Sequence, residues 1–355
     1  MNRTDTRKPL VLITGANGLI GEALIRRLAG DYRLVGTYRS EPPADGFGAD
    51  WIELDVTSEE SVRRALEEVA QRQGRELASV VHLAAYYDFR GEPSPLYEEV
   101  TVRGSQRTIE SLRDFEVEQF VFSSTMLVHR PTEPGAEIDE ESPLEGKWDY
   151  PASKIRTERV LRESRGDIPV VFLRIAGVYD DESHSIPLTR QLQRIQERQL
   201  ESFVFPGDPD RGQAFVHLDD VVEAIRLTIE RRAELPAVSE LLIGEDETLS
   251  YEELQQQMGE LVHGREWPAV QVPALAAKAG AWAQDVSPLG DPFIKPWMID
   301  LADDHYDLDV SRARELLGWR PRHSLRETLP SMVRSLREDP QRFYEENELG
   351  QAPDE

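Results

Sequence analysis

The sequence predicts an α/β fold built on a doubly wound parallel sheet, and three observations support this prediction. Apolar, β-branched runs alternate with amphipathic stretches through the first half of the chain. The first run leads through a glycine-rich turn into a helical pattern. After about residue 180 the alternation weakens and helical patterns dominate. We therefore expect helices on both faces of the sheet and a smaller, mostly α C-terminal cap domain.

Each predicted strand is a short apolar run, and each predicted helix has apolar residues three or four positions apart. The predicted strands are 9–16, 32–38, 51–56, 79–85, 119–124 and 169–179. The predicted helices of the first half lie near 19–29, 58–73, 96–113 and 150–164. In the second half the pattern predicts helices at "IPLTRQLQRIQERQL", "DDVVEAIRLTIERR" and "SYEELQQQMGELVHG", and a strand at "ELLIGE".

These patterns predict three parts of the chain. Residues 1–180 form the sheet domain, to which residues 214–235 return. Residues 181–213 and 236–335 form the cap that binds the substrate. Residues 336–355 form an acidic C-terminal helix and tail.

The composition excludes several classes of function. No apolar run approaches the roughly 18 residues of a membrane span, and the N-terminus lacks the apolar core of a signal peptide, so we expect a cytoplasmic protein. The absence of cysteine excludes disulfides, thiolate ligands and a cysteine nucleophile. A formal net charge of -26 disfavours nucleic acid as a partner. The spacing of histidines and carboxylates suggests no metal site.

A glycine-rich loop follows the first predicted strand. Gly15, Gly18 and Gly21 are spaced GxxGxxG in "VLITGANGLIGEALIRRLAG". Glycines there permit a tight turn and a close approach of the backbone to a pyrophosphate, which the following helix N-terminus attracts. A turn without a ligand is the alternative, but this context favours a dinucleotide, with Asn17, Leu19 and Ile20 in the same loop as further contacts.

The end of the second strand distinguishes the two nicotinamide dinucleotides. An acidic residue there would bind the adenosine ribose of NAD. This chain has Arg39 in "GTYRS", and a guanidinium suits a 2′-phosphate. We expect NADP, with NAD as the alternative. Asp55 and the adjacent Val56, after the third strand, are placed to contact the adenine.

A tyrosine–lysine pair begins the predicted helix 150–164. Tyr150 and Lys154 are four residues apart in "WDYPASKIRTERVL", so they share one helix face. The pair alone fits a charged surface helix as well as a phenol held beside an ammonium for acid–base work. Other motifs in the chain decide between these interpretations.

The order of these motifs resembles the extended short-chain dehydrogenase/reductase family, also called the NAD-dependent epimerase/dehydratase family. Each motif is common, but eight of them in this order are specific. The matching segments are "TGANGLIG" (14–21), "LDV" (54–56), "VHLAA" (81–85), "FVFSST" (120–125), "YPASK" (150–154), "LRIAGVY" (173–179), "FVHLDDVVEAI" (215–225) and "LDVSRARELLGWRPRHSL" (308–325).

The resemblance implies a Rossmann-like fold and assigns roles to these residues. Tyr150 is the general acid/base, and Lys154 binds the nicotinamide ribose and lowers the pKa of the phenol. Thr125 hydrogen-bonds the substrate oxygen, with Ser124 as the alternative, whereas Ser123 satisfies backbone. The dinucleotide also contacts the segment after the fourth strand, at Leu83, Ala84 and Ala85.

Departures from the family pattern reduce the number of reactions and substrates that we expect for this chain. Met126 and Leu127 stand where sugar dehydratases of this kind have an acid and a base, so dehydration is disfavoured. Gly177 replaces the asparagine, and Gln213 the arginine, that usually meet a sugar-nucleotide diphosphate. Arg211 is the nearest replacement for the missing arginine.

The predicted substrate residues are therefore Tyr86, Tyr87, Gly177 and Arg211. Tyr86 and Tyr87 follow "HLAA", where the family binds substrate. Residues 273–301 are rich in apolar side chains, which form either the core of the cap or an apolar wall for a hydrophobic substrate.

We predict an NAD(P)-dependent oxidoreductase that transfers hydride between nicotinamide and a small carbonyl or alcohol substrate. A nucleotide-sugar 4-epimerase that retains its NAD uses the same three residues and is the first alternative. The second is a redox sensor that binds dinucleotide without turnover. The resemblance also implies a homodimer.

Overall fold

A seven-stranded parallel sheet lies at the centre of the computed structural model, which describes residues 8–88, 93–272 and 302–352. The strands are β1 Leu10–Thr14, β2 Arg33–Tyr38, β3 Asp50–Glu53, β4 Glu76–Leu77, β5 Ser79–His82, β6 Glu116–Val117, β7 Phe120–Thr125, β8 Val170–Ile175, β9 Gly177–Tyr179, β10 Val204–Phe205, β11 Phe215–His217, β12 Val238–Ile243 and β13 Val270–Gln271. The main sheet has the order β12-β8-β7-β5-β1-β2-β3, and β4 with β6, β9 with β11 and β10 with β13 form small pairs. The predicted fold class is confirmed.

Helices flank this sheet and build the cap. They are α1 Leu19–Leu28, α2 Glu59–Gln73, α3 Arg103–Ser111, α4 Asp149–Ser164, α5 Ile186–Gln196, α6 Leu218–Glu230, α7 Tyr251–His263, α8 Ser311–Leu317, α9 Leu325–Glu338 and α10 Pro340–Glu346. A π-helical turn, Tyr97–Val102, leads into α3, and short 3₁₀ turns lie at Leu112–Asp114, Met126–Val128 and Leu200–Phe203. In the described ranges, none of the helices is both long enough and apolar enough to cross a bilayer.

The central strands are buried on both faces, which explains their continuous apolar sequence. In β1, Val11 and Ile13 enter one core with α1, α6 and α8, whereas Leu10 and Leu12 enter a second core with α2, α3 and α4. A third core joins α5, α7, α9 and α10 in the cap.

The edge strand β12 lies in the main sheet, whereas the sequence pattern predicted that residues 236–335 belong to the cap. All six of its residues pair with β8, from Val238 opposite Val170 to Ile243 opposite Ile175. The side chains of Tyr306, Leu308 and Trp319 pack in the same core as α1 and α6. Strand β12 and these three side chains therefore belong to the sheet domain. The sequence pattern did not predict this, because a strand late in the chain can still pair with the edge of the sheet.

Replacing Leu241 with alanine tests this placement of β12. The side chain is fully buried in the sheet core, so we expect the free energy of unfolding to fall by about 2–5 kcal/mol. Leu200→Ala is the matched control, since Leu200 is 82% exposed, and its effect should stay within about 0.5 kcal/mol. Urea denaturation measures both. A loss below about 1 kcal/mol for Leu241→Ala would remove β12 from the core.

Candidate functional site

The glycine loop between β1 and α1 has the geometry of a phosphate cradle. Gly15 has a φ of +66°, and a Cβ there would lie 2.8 Å from the Ala84 amide nitrogen. A Cβ on Gly21 would lie 2.6 Å from the Ala16 Cα, so the helix packs directly on the strand end. A Cβ on Gly18 would meet only the Gly15 carbonyl oxygen, at 3.4 Å. The first and third glycines are therefore needed for packing, and the middle one leaves room for a ligand.

The N-terminus of α1 offers backbone donors at this cradle. Gly18 is its N-cap residue and provides no side-chain cap, so the first amides of the helix, beginning at Leu19 and Ile20, are available to an anion. Asn17, Gly18 and Leu19 are exposed. This donor set and the open glycine fit the pyrophosphate of a dinucleotide.

The ends of β2 and β3 form the expected adenosine side of the site. Arg39 follows β2, is exposed, and has no hydrogen bond or ion pair to the described residues. Asp55 follows β3, and its Oδ1 accepts hydrogen bonds from the Thr57 amide at 2.9 Å and the Thr57 hydroxyl at 2.7 Å. Val56 is buried beside it. The fold thus places a free guanidinium and a fixed carboxylate where the sequence predicted them.

A buried polar chain fixes the segment Leu83–Ala84–Ala85 after β5. The Leu83 amide donates to the Thr14 carbonyl at 3.1 Å, and the Thr14 hydroxyl is joined to His82 Nδ1 at 2.8 Å. His82 Nε2 is joined to the Ser105 hydroxyl of α3 at 3.0 Å. Burial lowers the pKa of His82 to about 3, and the Lys154 cation acts in the same direction, so this histidine is neutral. Sequence reasoning missed His82, whose partners are remote in the chain.

Helix α4 brings the predicted acid–base residues to the end of β7. The Lys154 ammonium donates to the Ser123 carbonyl at 2.7 Å and is 3% exposed. The Thr125 side chain lies close enough to the Tyr150 phenol to lower the pKa of that group. The Ser123 hydroxyl donates to the His82 carbonyl at 3.3 Å, which confirms that it satisfies backbone.

Ser124 is turned into a buried ionic network and is not available to a substrate. Its hydroxyl donates to Glu158 Oε1 at 2.6 Å, one helical turn beyond Lys154 on α4. Glu158 forms an ion pair of 2.8 Å with Arg174 of β8, and Arg174 also donates to the Glu140 carbonyl at 2.9 Å. The structure therefore favours Thr125 over Ser124 as the hydroxyl partner of Tyr150. Glu158 and Arg174 are site-supporting residues that sequence reasoning missed, although Glu158 continues the four-residue spacing of Tyr150 and Lys154.

The ionisation of the pair differs from the sequence-based expectation. Burial raises the pKa of the Tyr150 phenol to about 12, and the hydrogen bond from Thr125 offsets only part of this. Burial lowers the pKa of Lys154 to about 7, against the opposing effect of the Glu158 carboxylate. The Lys154 ammonium lies 5.7 Å from the centre of the phenol ring. The expected lowering of the phenol pKa by Lys154 is wrong for this structure, in which burial dominates and the phenol is a protonated donor.

Two predicted substrate residues lie at the phenol. The Tyr87 ring contacts the Tyr150 ring edge to face, with centroids 4.8 Å apart. The Tyr86 ring makes a similar contact with Tyr97 at 4.9 Å, and the Tyr86 amide donates to the Thr101 hydroxyl at 3.0 Å. Aromatic side chains therefore border the acid–base group.

The other two predicted substrate residues are engaged elsewhere. A Cβ on Gly177 would lie 2.8 Å from the Phe215 ring, so that ring occupies the space that a larger side chain would need. Arg211 forms ion pairs with Glu133 and, at 3.7 Å, with Asp208. It also donates to the Thr132 carbonyl at 3.3 Å. The guanidinium is held by the protein's own acceptors.

The fold brings together two groups of side chains that sequence spacing did not reveal as metal ligands. They are His217, Asp219 and His323, and Glu182, His184 and Glu346. In the first group, His217 Nδ1 accepts the Asp219 amide, so the neutral ring carries its proton on Nε2 and offers no lone pair there. In the second group, Arg342 pairs with both glutamates.

The chain is similar to a probable reductase, to an epimerase and to a solved structure that contains NAD. A probable low-salt glycan biosynthesis reductase, Agl14, from Haloferax volcanii is 30% identical over 171 residues, which cover 47% of this chain and 53% of that protein, about half its length. The UDP-glucose 4-epimerase of Vibrio cholerae is 24% identical over 326 residues, covering 89% of this chain and 92% of that protein. The structure of MoeE5 in complex with UDP-glucuronic acid and NAD superposes with a TM-score of 0.68 at 24% identity, covering 93% of this chain and 99% of that chain.

The family itself follows from a match over most of the chain. The model of the NAD dependent epimerase/dehydratase family matches residues 11–244, which include the glycine loop, the β7 end and the tyrosine–lysine pair. This match confirms the resemblance drawn from the sequence motifs. The chain belongs to the NAD-dependent epimerase/dehydratase family and is an NAD(P)-dependent oxidoreductase or epimerase.

Proposed function

We propose that this chain is an NADP-preferring reductase of a carbonyl substrate that carries no nucleotide diphosphate. The observation that carries the proposal is that the fold brings Tyr150 and Lys154 of α4 next to Thr125 at the end of β7. Burial raises the pKa of this phenol to about 12, so it carries its proton at neutral pH and can give that proton to a substrate oxygen when the carbonyl carbon gains hydride. A dinucleotide sensor without turnover would need no such donor.

The residues of this chain would act in a defined order. Bound dinucleotide supplies the hydride at the nicotinamide C4 atom. Thr125 donates one hydrogen bond to the carbonyl oxygen of the substrate and fixes its position beside the phenol. Tyr150 transfers its phenolic proton to that oxygen as the carbonyl carbon gains hydride. Lys154 would bind the nicotinamide ribose, and the phenolate left behind regains its proton from solvent.

Arg39 supports the preference for NADP. Its guanidinium is exposed at the end of β2 without a partner among the described residues, so binding a 2′-phosphate requires no ion pair to be broken. No carboxylate occupies the position that would bind the adenosine ribose of NAD, since Arg39 and Ser40 follow the strand.

The phosphate anchors of nucleotide-sugar enzymes are missing or occupied. Gln213 stands at the arginine position and forms a backbone bridge with Tyr306. Arg211 is held by Glu133 and Asp208, and the Phe215 ring fills the space beside Gly177. A dianionic substrate would have to displace these contacts in a protein of net charge -26.

A nucleotide-sugar 4-epimerase is the second candidate. The similarity to the Vibrio cholerae UDP-glucose 4-epimerase extends over nearly all of both chains, and MoeE5 shares the fold in complex with a UDP-sugar. Such an enzyme would use Thr125, Tyr150 and Lys154 but would keep its NAD bound through a complete cycle.

A cytoplasmic homodimer stays a prediction from the sequence. The outward side of α4 carries exposed charged side chains at Arg156, Arg159 and Glu163, so a dimer contact through this helix would be polar.

Replacing Tyr150 with phenylalanine removes the proton donor but keeps the ring. We expect the steady-state turnover of NADPH with carbonyl substrates to fall by about 100-fold or more, while the dinucleotide Kd stays within a few-fold. Tyr32→Phe is the control, because Tyr32 lies on the turn before β2, away from the α4–β7 contact, and this variant should behave like the wild type. An active Tyr150→Phe protein would contradict the mechanism.

Replacing Arg39 with aspartate should reverse the dinucleotide preference. Loss of the guanidinium and repulsion of the 2′-phosphate should weaken NADP binding by about 10-fold or more and leave NAD binding equal or tighter. Calorimetric titration of both dinucleotides measures the change. Arg159→Asp, an equally charged change on the outer face of α4, should leave the ratio unaltered. An unchanged ratio in Arg39→Asp would remove Arg39 from the site.

The dinucleotide released on denaturing freshly purified protein separates the two candidate functions. The reductase should be empty or hold exchangeable cofactor, and should bind NADPH reversibly. Stoichiometric NAD that survives dialysis, together with saturable binding of UDP-glucose, would establish the epimerase instead. Mass spectrometry of the released compound and calorimetry with UDP-glucose make the measurement.

A further inference from the structure

Three aromatic rings contact the ring of Tyr150, and a fourth, that of Tyr86, packs against one of them. Together we call these residues the aromatic wall: Tyr86, Tyr87, Tyr97 and Trp148. The ring centroids of Tyr87, Trp148 and Tyr97 lie 4.8, 5.5 and 6.5 Å from that of Tyr150. They come from three separate segments, namely the chain after β5, the π-helical turn before α3, and the N-cap of α4. The fold thus concentrates aromatic surface at the point where the proton is transferred.

Tyr87 is half exposed beside the Tyr150 ring and does not fill a core. Its side chain is 49% exposed, and the centroids of the two rings lie 4.8 Å apart. Tyr87 therefore presents part of its ring to whatever lies beside the Tyr150 phenol.

The hydroxyls of the neighbouring tyrosines are tied to the protein. The Tyr97 hydroxyl donates to the Asp88 carbonyl at 3.2 Å, and the Tyr86 hydroxyl donates to Asp88 Oδ2 at 3.3 Å. Tyr97 is 1% exposed and supports the wall from behind, so the ring surface open to a ligand belongs to Tyr87, Trp148 and Tyr86. Ring surface of this kind binds flat apolar groups by stacking or edge-to-face contact.

The charges near the aromatic wall disfavour an anionic ligand. Asp88 and Asp149 both raise the pKa of Tyr97, which places two carboxylates close to the wall. Two lysines that the structure describes near the wall are engaged, since Lys147 pairs with Asp304 and Lys154 donates to the Ser123 carbonyl. An uncharged substrate meets no electrostatic penalty at this position.

We propose that the substrate is an uncharged ketone or aldehyde with an aromatic or flat alicyclic ring next to its carbonyl, and that the ring packs against the aromatic wall. This inference rests on the proposed function and specifies its substrate class. NADPH is oxidised to NADP⁺ as its hydride adds to the carbonyl carbon. The carbonyl π pair takes the Tyr150 proton at oxygen, the product is the alcohol, and the phenolate regains its proton from solvent.

The kinetic test compares acetophenone with 2-butanone, each with NADPH, in the wild type and in Tyr87→Ala and Tyr87→Phe. We expect the wild type to prefer acetophenone in kcat/KM by roughly 10-fold or more. Tyr87→Ala should lose most of this preference through a raised KM for acetophenone, with little change for 2-butanone. Tyr87→Phe keeps the ring and should restore the preference. A wild type without aryl preference, or an equal loss for both ketones in Tyr87→Ala, would overturn the inference.

A binding test keeps the inference separate from the proposed function. 1-Phenylethanol cannot react with the NADPH-bound protein, so calorimetry measures its affinity whether or not turnover occurs. We expect saturable binding that weakens several-fold in Tyr87→Ala and recovers in Tyr87→Phe. If no ketone is reduced but this pattern holds, the proposed reductase fails and the aryl site stands. If ketones are reduced but 1-phenylethanol binding is absent or insensitive to Tyr87, the reductase stands and the aryl site fails.

Discussion

The docking of α4 against the end of β7 is the contact on which the catalytic geometry depends. Its innermost part is the ion pair between Glu158 and Arg174, which are buried to within 3% of their surfaces. Burying two charges is costly unless their remaining hydrogen bonds are satisfied, and here Ser124 donates to the glutamate while the arginine also reaches the Glu140 carbonyl. Because Ser124 and Thr125 are adjacent in β7, the network that holds one hydroxyl also fixes the position of the other against Tyr150.

The buried position of Lys154 lowers the stability of the folded protein. Its pKa falls from 10.5 in the unfolded chain to about 7 in the folded protein, because burial penalises the ammonium. Between these values the unfolded chain binds a proton that the folded protein does not, so this group's contribution to stability rises with pH across that window. The destabilisation by buried Lys154 is absent above a pH of 10.5 and reaches its full value below about pH 7. A buried apolar side chain would avoid this cost, and the proposed binding of the nicotinamide ribose would give the lysine a function that offsets it.

The sequence pattern predicted the structural features that depend only on residue type and on near neighbours in the chain. The two-sided burial of β1, the positive φ of Gly15 and the shared helix face of Tyr150 and Lys154 all follow from residue type and spacing. Features that depend on distant partners did not follow. Thr14 and His82 are 68 residues apart, and Arg174 meets Glu158 only after β8 is placed beside β7. The predicted downward shift of the Tyr150 pKa was wrong for the same reason, because the burial of the phenol is set by the whole fold.

Family membership fixes the chemistry of this site more firmly than its substrate. Thr125 and the glycine cradle lie at the ends of β7 and β1 and Tyr150 lies on α4, whereas the candidate substrate side is built from segments outside the main sheet. In this chain those segments place Phe215 beside Gly177, tie Arg211 to carboxylates and leave Tyr87 half exposed at the phenol. Each of the three changes lowers the affinity expected for a diphosphate or raises that for an apolar ring. Their agreement is the physical reason to look beyond nucleotide sugars, although the fold is shared with enzymes that bind them.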